Sequence, residues 1–99
     1  MDISTSYEGD AATVAVSGHL NTNTAGELEQ ELSEVFGRTY RVTLDFAGLD
    51  YLSSAGLRVL VGAQKQVVAA GGAMRIVNLA DDVREVFEIT GLIDVLDVE

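Results

Sequence analysis

The stretch that decides the fold is Asp50-Tyr51-Leu52-Ser53-Ser54-Ala55-Gly56-Leu57-Arg58. It places two adjacent serines where an apolar strand is expected to end and a helix to begin. Ser54 is predicted to cap that helix by accepting a hydrogen bond from the backbone N–H of Gly56 or Leu57, a contact worth about 1 kcal/mol. A phosphate is also favoured at the positive end of a helix. A capping role and a modification role are therefore both open for this hydroxyl.

Periodicity defines the elements on either side of the serines. Residues 40–46 alternate apolar and polar side chains, which predicts a strand near the middle of a sheet. A helix is predicted over residues 54–70, and its outward line comprises Arg58, Gly62, Lys65 and Ala69. Its predicted inward stripe comprises Leu57, Leu60, Val61, Val67 and Val68.

The N-terminal third is predicted to form a hairpin followed by a helix. Strands over residues 3–8 and 12–17 flank a Gly9-Asp10 turn, which is typical of an antiparallel pair. Thr24 and Glu27 fit a capping box, and apolar residues then recur at helical spacing up to Phe36. A helix is therefore expected over residues 24–36.

Strands and helices are predicted to alternate in the C-terminal third as well. Gly71-Gly72 is expected to end the second helix, and residues 74–77 predict a strand. Asp81 or Asp82 is predicted to cap a third helix ending at Gly91, and a short last strand is expected over residues 95–98. The alternation indicates an α/β fold in one domain, residues 1–99. Its mixed sheet of four to five strands, with an antiparallel hairpin followed by parallel strands, packs with three or more helices.

Composition excludes several classes of function. The chain has 99 residues, no cysteine and one histidine, so no thiolate metal site or multi-histidine metal site can form within it. Its net charge of −10 opposes binding to nucleic acid and to anionic membranes. No nucleotide loop is present, so no cofactor is predicted. The first six residues lack a secretion signal, and a cytoplasmic location is expected.

Three other groups of polar residues have simple structural interpretations. Asp45 and Asp50 bracket residues 46–49, where carboxylates are typical of a turn. His19 is isolated, so a structural or solvent-facing role is favoured over titration in a catalytic site. The acidic face of the first helix is interpreted as solvated surface, and it comprises Glu27, Glu31 and Glu34.

Residues 50–57 resemble the signature of the STAS domain, in particular of the bacterial anti-sigma factor antagonists. That motif reads Asp-Ser-Ser/Thr-Gly-Leu after an apolar strand. Residues 18–21 are similar to the family's Gly-Glu-Leu-Asp segment. Residues 71–77 are similar to its Gly-Gly and strand, and residues 86–92 to its Phe-x-x-(Thr/Ser)-Gly-Leu ending. The resemblance covers nearly the whole chain.

The resemblance implies a small, non-enzymatic regulator of transcription. It would bind an anti-sigma factor of histidine-kinase-like ATPase fold and so release a sigma factor. In that family the partner phosphorylates the serine at the position of Ser54, and a serine phosphatase removes the phosphate. Ser53 stands where the family has Asp, which makes it a secondary acceptor. Ala55 replaces a hydroxyl, and His19 and Asn21 replace acidic residues.

The surface predicted to bind this partner surrounds the serines, and the outward line of the second helix extends it. It comprises Asn21, Ser53, Ser54, Ala55, Arg58, Gly62 and Lys65. Two alternatives remain open. The chain could be a constitutive STAS accessory subunit, for example of a transport ATPase, with serines that only cap a helix. It could also be a small hydrolase with Ser54 as nucleophile and His19 as base, although it lacks a G-x-S-x-G elbow.

Overall fold

Strands and helices alternate along the chain, as the hydrophobic pattern predicts. The computed structural model describes residues 1–99. The strands are β1 (Asp2–Glu8), β2 (Ala11–Leu20), β3 (Arg41–Leu52), β4 (Ala73–Val77) and β5 (Asp97–Val98). The helices are α1 (Ala25–Phe36), α2 (Ser54–Ala69) and α3 (Asp81–Thr90), and a short 3-10 turn spans Leu92–Asp94.

The five strands form one sheet in the order β1-β2-β3-β4-β5, and only the β1–β2 pair is antiparallel. A tight turn at Gly9, with φ of 61°, joins that pair. Asp10, in this turn, accepts a hydrogen bond from the guanidinium of Arg41 on β3, and this bond lowers the pKa of Asp10 below its usual range. Each later strand follows a helical crossover and is therefore parallel to its predecessor. The predicted mixed sheet, with β3 at its centre, is confirmed.

One face of the sheet is covered by the helices. Buried residues of α1, α2 and α3 join those of the central strands in one core cluster, so the three helices lie on the same side of the sheet. On β3, accordingly, Val42, Leu44 and Phe46 are buried, whereas Arg41 is exposed. The core contains 23 buried apolar residues, and no polar side chain is fully buried.

The central strand is longer than predicted, because the expected turn at residues 46–49 does not form. β3 continues to Leu52, and its pairing with β2 slips at two irregularities, one after Asp45 and one before Tyr51. The Asp45 carboxylate accepts a hydrogen bond from the Ala47 N–H at 3.0 Å, which supports the first irregularity. The turn-forming residues here make bulges rather than a reversal, since pairing with β2 resumes at Gly48 and Leu49.

The helices lie as predicted, but their faces and caps differ in part. In α2 the buried residues are Gly56, Leu57, Leu60, Ala63 and Val67. Val61 is only half-buried and Val68 is 64% exposed, so the prediction that both face inward is wrong. An apolar helix face wider than the sheet beneath it cannot be fully buried.

The last elements also depart from the sequence prediction at their ends. The N-cap of α3 is Ala80, and neither Asp81 nor Asp82 caps the helix, because both already lie in its first turn. Gly91, with φ of 77°, ends α3 as predicted. β5 is shorter than predicted, since Val95 belongs to the end of the preceding 3-10 turn.

Candidate functional site

Ser53, not Ser54, caps α2. The Ser53 Oγ accepts a hydrogen bond from the Gly56 N–H at 3.3 Å, and its C=O accepts one from the Leu57 N–H at 3.0 Å. Ser53 has an extended backbone (φ −96°, ψ 171°), as an N-cap residue requires, whereas Ser54 is already the first helical residue. The prediction that Ser54 is the cap is therefore wrong by one position.

Ser54 presents its hydroxyl to solvent. Its side chain is exposed and forms no hydrogen bond with the rest of the chain. The Leu57 N–H makes the first intrahelical bond of α2. The N–H groups of Ser54 and Ala55 therefore have no carbonyl acceptor within the helix. No acidic residue occupies this first turn. A phosphate on Ser54 would thus stand at the positive end of a helix.

The loop between β2 and α1 is tied to the same corner. The Ser53 N–H donates to the Leu20 C=O at 2.9 Å, which joins the start of α2 to the end of β2. One residue later, the Asn21 Oδ1 accepts hydrogen bonds from the N–H groups of Asn23 and Thr24 at 2.9 and 3.2 Å. Asn21 therefore holds the loop in shape beside the serines.

The predicted capping box at the start of α1 does not form. The Thr24 Oγ1 accepts from the Asn21 N–H at 2.9 Å and donates to the His19 C=O at 2.7 Å. It makes no capping bond to Glu27, because Thr24 has helical dihedrals (φ −108°, ψ −14°) and its hydroxyl points back into the loop. The threonine fixes the loop rather than the helix.

An aromatic pair lies on the rim of the site. The rings of His19 and Tyr51 meet edge to face, with 6.0 Å between centroids, and both side chains are exposed. His19 makes no hydrogen bond to Ser54, so the pairing that an activated serine nucleophile requires is not assembled. No role was predicted for Tyr51 from the sequence. Its position directly before Leu52-Ser53-Ser54 nevertheless indicates that it lies next to the serines.

The outward face of α2 carries unneutralised positive charge. Arg58, Gly62 and Lys65 are exposed as predicted, whereas Ala55 is half-buried against the core. Neither Arg58 nor Lys65 takes part in an ion pair, and α2 contains no carboxylate. The other four cations are engaged: Arg41, Arg75 and Arg84 pair with carboxylates, and Arg38 lies over the ring of Tyr7. In a chain of net charge −10, this helix is a local cationic surface.

Comparison with known proteins assigns the family. The model of the STAS domain matches residues 3–99. The chain belongs to the STAS domain family. The Bordetella bronchiseptica protein BtrV, which carries the name of an anti-sigma factor antagonist, is 43% identical over 82 residues, covering 82% of this chain and 71% of that protein. The predicted resemblance to the antagonist group is thus confirmed.

Solved structures share the fold of this STAS chain. A Thermotoga maritima protein named as an anti-sigma factor antagonist superposes with a TM-score of 0.90 at 17% identity, over 97% of this chain and 84% of that one. The Bacillus cell fate determinant SpoIIAA in its phosphorylated form gives a TM-score of 0.77 at 17% identity, over 99% and 91%. At these identities the likeness concerns the fold alone. None of the three helices has the length and apolar character of a membrane-spanning segment.

Ser53 can take the place of the Asp in the STAS motif because it performs the same capping role. Ser and Asp are both good N-caps, and the Ser53 hydroxyl performs that role through the Gly56 N–H. Ser53 also removes the carboxylate that an Asp would place directly beside Ser54. The cap and the exposed hydroxyl are therefore two separate residues.

Alanine substitutions should separate these two residues by stability. We expect Ser53→Ala to lower the free energy of unfolding by about 1 kcal/mol, because the Gly56 N–H loses its acceptor. Ser54→Ala should change it by less than about 0.5 kcal/mol, since the hydroxyl has no partner to lose. Urea unfolding of both variants measures the difference. The reverse order would show that Ser54 is the cap.

Proposed function

We propose that this chain is an anti-sigma factor antagonist, a non-enzymatic and cytoplasmic binding module. It binds an anti-sigma factor of histidine-kinase-like ATPase fold and thereby releases a sigma factor. Phosphorylation of Ser54 by that partner switches the binding off, and a serine phosphatase restores it. The proposal rests mainly on one observation. The exposed hydroxyl of Ser54 forms no hydrogen bond within the chain, and it lies at the start of a helix whose outward face is cationic.

The proposed binding surface combines the start of α2 with the adjoining loop. Its residues are Asn21, Ser53, Ser54, Ala55, Arg58, Gly62 and Lys65. The side chains of Ser54, Arg58 and Lys65 follow one another at helical spacing along one face. Gly62, with no atom within 4 Å of where a Cβ would stand, lets a partner approach the helix closely. The loop supplies polar groups, and α2 supplies two cations that are free to pair with the partner's carboxylates.

The fold should accept the phosphate without rearrangement. The cap of α2 is made by Ser53, so modification of Ser54 breaks no hydrogen bond of the chain. The added group stands at the positive end of the helix dipole, where anions are favoured. It also lies one turn before Arg58, at a spacing of four residues that permits an ion pair.

Release of the partner follows from charge. A phosphate adds about −1.5 to −2 charges at neutral pH. Within the proposed surface this group would have to lose its hydration against the partner, and it would compete for the guanidinium of Arg58. Like charges brought together at an interface cost several kcal/mol, and each ~1.4 kcal/mol is tenfold in affinity. Dissociation therefore needs no change of conformation.

Phosphosite mapping tests the switch. Each histidine-kinase-like anti-sigma factor encoded in the same genome is expressed, incubated with this chain and ATP, and the product is mapped by mass spectrometry. We expect one phosphate, on Ser54, and none in Ser54→Ala. Phosphate on Ser53 alone would move the switch to the capping residue. No phosphate with any of these kinases would overturn the switch and favour a constitutive accessory subunit.

A further inference from the structure

A groove lies at the C-terminal half of α2, away from the serines. It has a volume of about 370 Å³ and is lined by Val61, Gln64, Lys65, Val68, Ala69 and Val95. Val68 and Val95 are 64% and 54% exposed, so two branched apolar side chains face solvent across the groove. Lys65 stands on its rim without an ion-pair partner. The groove thus offers an apolar floor beside one free positive charge.

A matching projection is present on the outer face of α3. Ile89 is 76% exposed, the highest value among the large apolar residues of the chain that are exposed. Glu85 precedes it by four residues and therefore lies beside it on the same helix face. Glu85 is exposed and takes no part in an ion pair, whereas the neighbouring Arg84 is already paired with Glu88. The projection is thus an aliphatic side chain beside one free negative charge.

We propose that the groove is occupied by a second copy of this chain. In this contact Ile89 of one protomer enters the groove between Val68 and Val95 of its partner. The carboxylate of Glu85 then pairs with the ammonium group of Lys65. Apolar surface meets apolar surface, and the unpaired ammonium group at the rim of the groove meets an unpaired carboxylate beside Ile89, which is the complementarity expected of a specific contact.

The location of the two features suits a two-fold dimer. Val95 forms one wall of the groove and follows α3 after only the short turn Leu92–Asp94. The groove and the projection therefore lie near the same end of α3, and a two-fold arrangement forms the contact twice. Each contact consists of one apolar side chain in a groove and one ion pair, so a weak dimer is expected. Lys65 also belongs to the surface proposed for the anti-sigma factor, so the two associations would compete.

Sedimentation velocity of the chain alone tests this proposal, independently of any partner or phosphate. Over roughly 10 μM to 1 mM, concentrations at which weak complexes associate, a concentration-dependent dimer should appear. Val68→Asp should weaken it by at least about tenfold, because a carboxylate would enter an apolar contact. Gln66→Asp adds the same charge on the same helix outside the groove, and it should leave the dimer unchanged. Circular dichroism checks that both variants are folded.

Charge reversal separates the specific ion pair from the general repulsion between two acidic chains. Lys65→Glu and Glu85→Lys should each weaken the dimer, although Glu85→Lys makes the chain less acidic. The double variant keeps the net charge and should restore association. A chain that stays monomeric up to about 1 mM would overturn the proposal. The proposal would also be overturned if the dimer were unaffected by Val68→Asp, or if Glu85→Lys strengthened it.

Discussion

Ser54→Asp is expected to lower the affinity for the anti-sigma factor by about a hundredfold or more, whereas Ser54→Ala retains it. A carboxylate at this position carries part of the charge of a phosphate and has to be desolvated in the same interface. A penalty of several kcal/mol corresponds to at least two factors of ten in affinity. Removing the hydroxyl costs little, because Ser54 forms no bond within the chain.

The same substitution should leave the fold intact. Ser54 is exposed, and an acidic residue in the first turn of a helix is stabilising by about 0.3–1 kcal/mol. A matched control is Ser6→Asp, which adds the same charge at an exposed position on β1. Titration calorimetry with the anti-sigma factor should give unchanged affinity for that control. Equal affinity of Ser54→Asp and Ser54→Ala would contradict a charge-controlled interface.

Gly56→Ala is expected to lower the free energy of unfolding by about 1–3 kcal/mol, although alanine is the better helix former. A Cβ at this position would stand 2.7 Å from the Leu20 Cγ and 2.9 Å from the Leu52 Cδ1. Both leucines are buried at the ends of β2 and β3, so they have little room to move. The start of α2 would have to shift outward and take both serines with it.

Gly62→Ala is the matched control for this prediction. It lies on the same helix, and a Cβ there would meet no atom within 4 Å. The substitution should therefore stabilise the chain by up to about 1 kcal/mol, from helix propensity alone. Urea unfolding of both variants should thus give opposite signs. Stabilisation by Gly56→Ala would show that the corner between β2, β3 and α2 is not tightly packed.

The order of elements, the mixed sheet and the location of the serines were predictable from the sequence. Periodicity and turn residues are local signals, and long crossovers require parallel strands. The extension of β3 through residues 47–52 was not predictable in this way. Its Ala-Gly-Leu-Asp segment has turn character, and only pairing with β2 and the bond from the Ala47 N–H to Asp45 keep it in the sheet.

The sequence predicted the position of the two serines between β3 and α2, but it assigned the N-cap to the wrong one. Ser53 and Ser54 are equally good caps by residue type, and only the backbone dihedrals distinguish them. The inward prediction for Val61 and Val68 failed for a related reason. α2 has apolar residues on more of its circumference than the sheet can cover, and sequence alone does not show which of them remain exposed. Both valines line the groove proposed for self-association.

The most direct test of the phosphorylation switch compares the unmodified chain with the chain carrying phosphoserine at position 54. Affinity for the anti-sigma factor is measured by calorimetry, and amide chemical shifts are recorded for both forms. We expect phosphorylation to lower the affinity by about a hundredfold or more, with chemical-shift changes confined to the start of α2 and the adjoining loop. Equal affinity of the two forms, or shifts spread across the sheet, would contradict it.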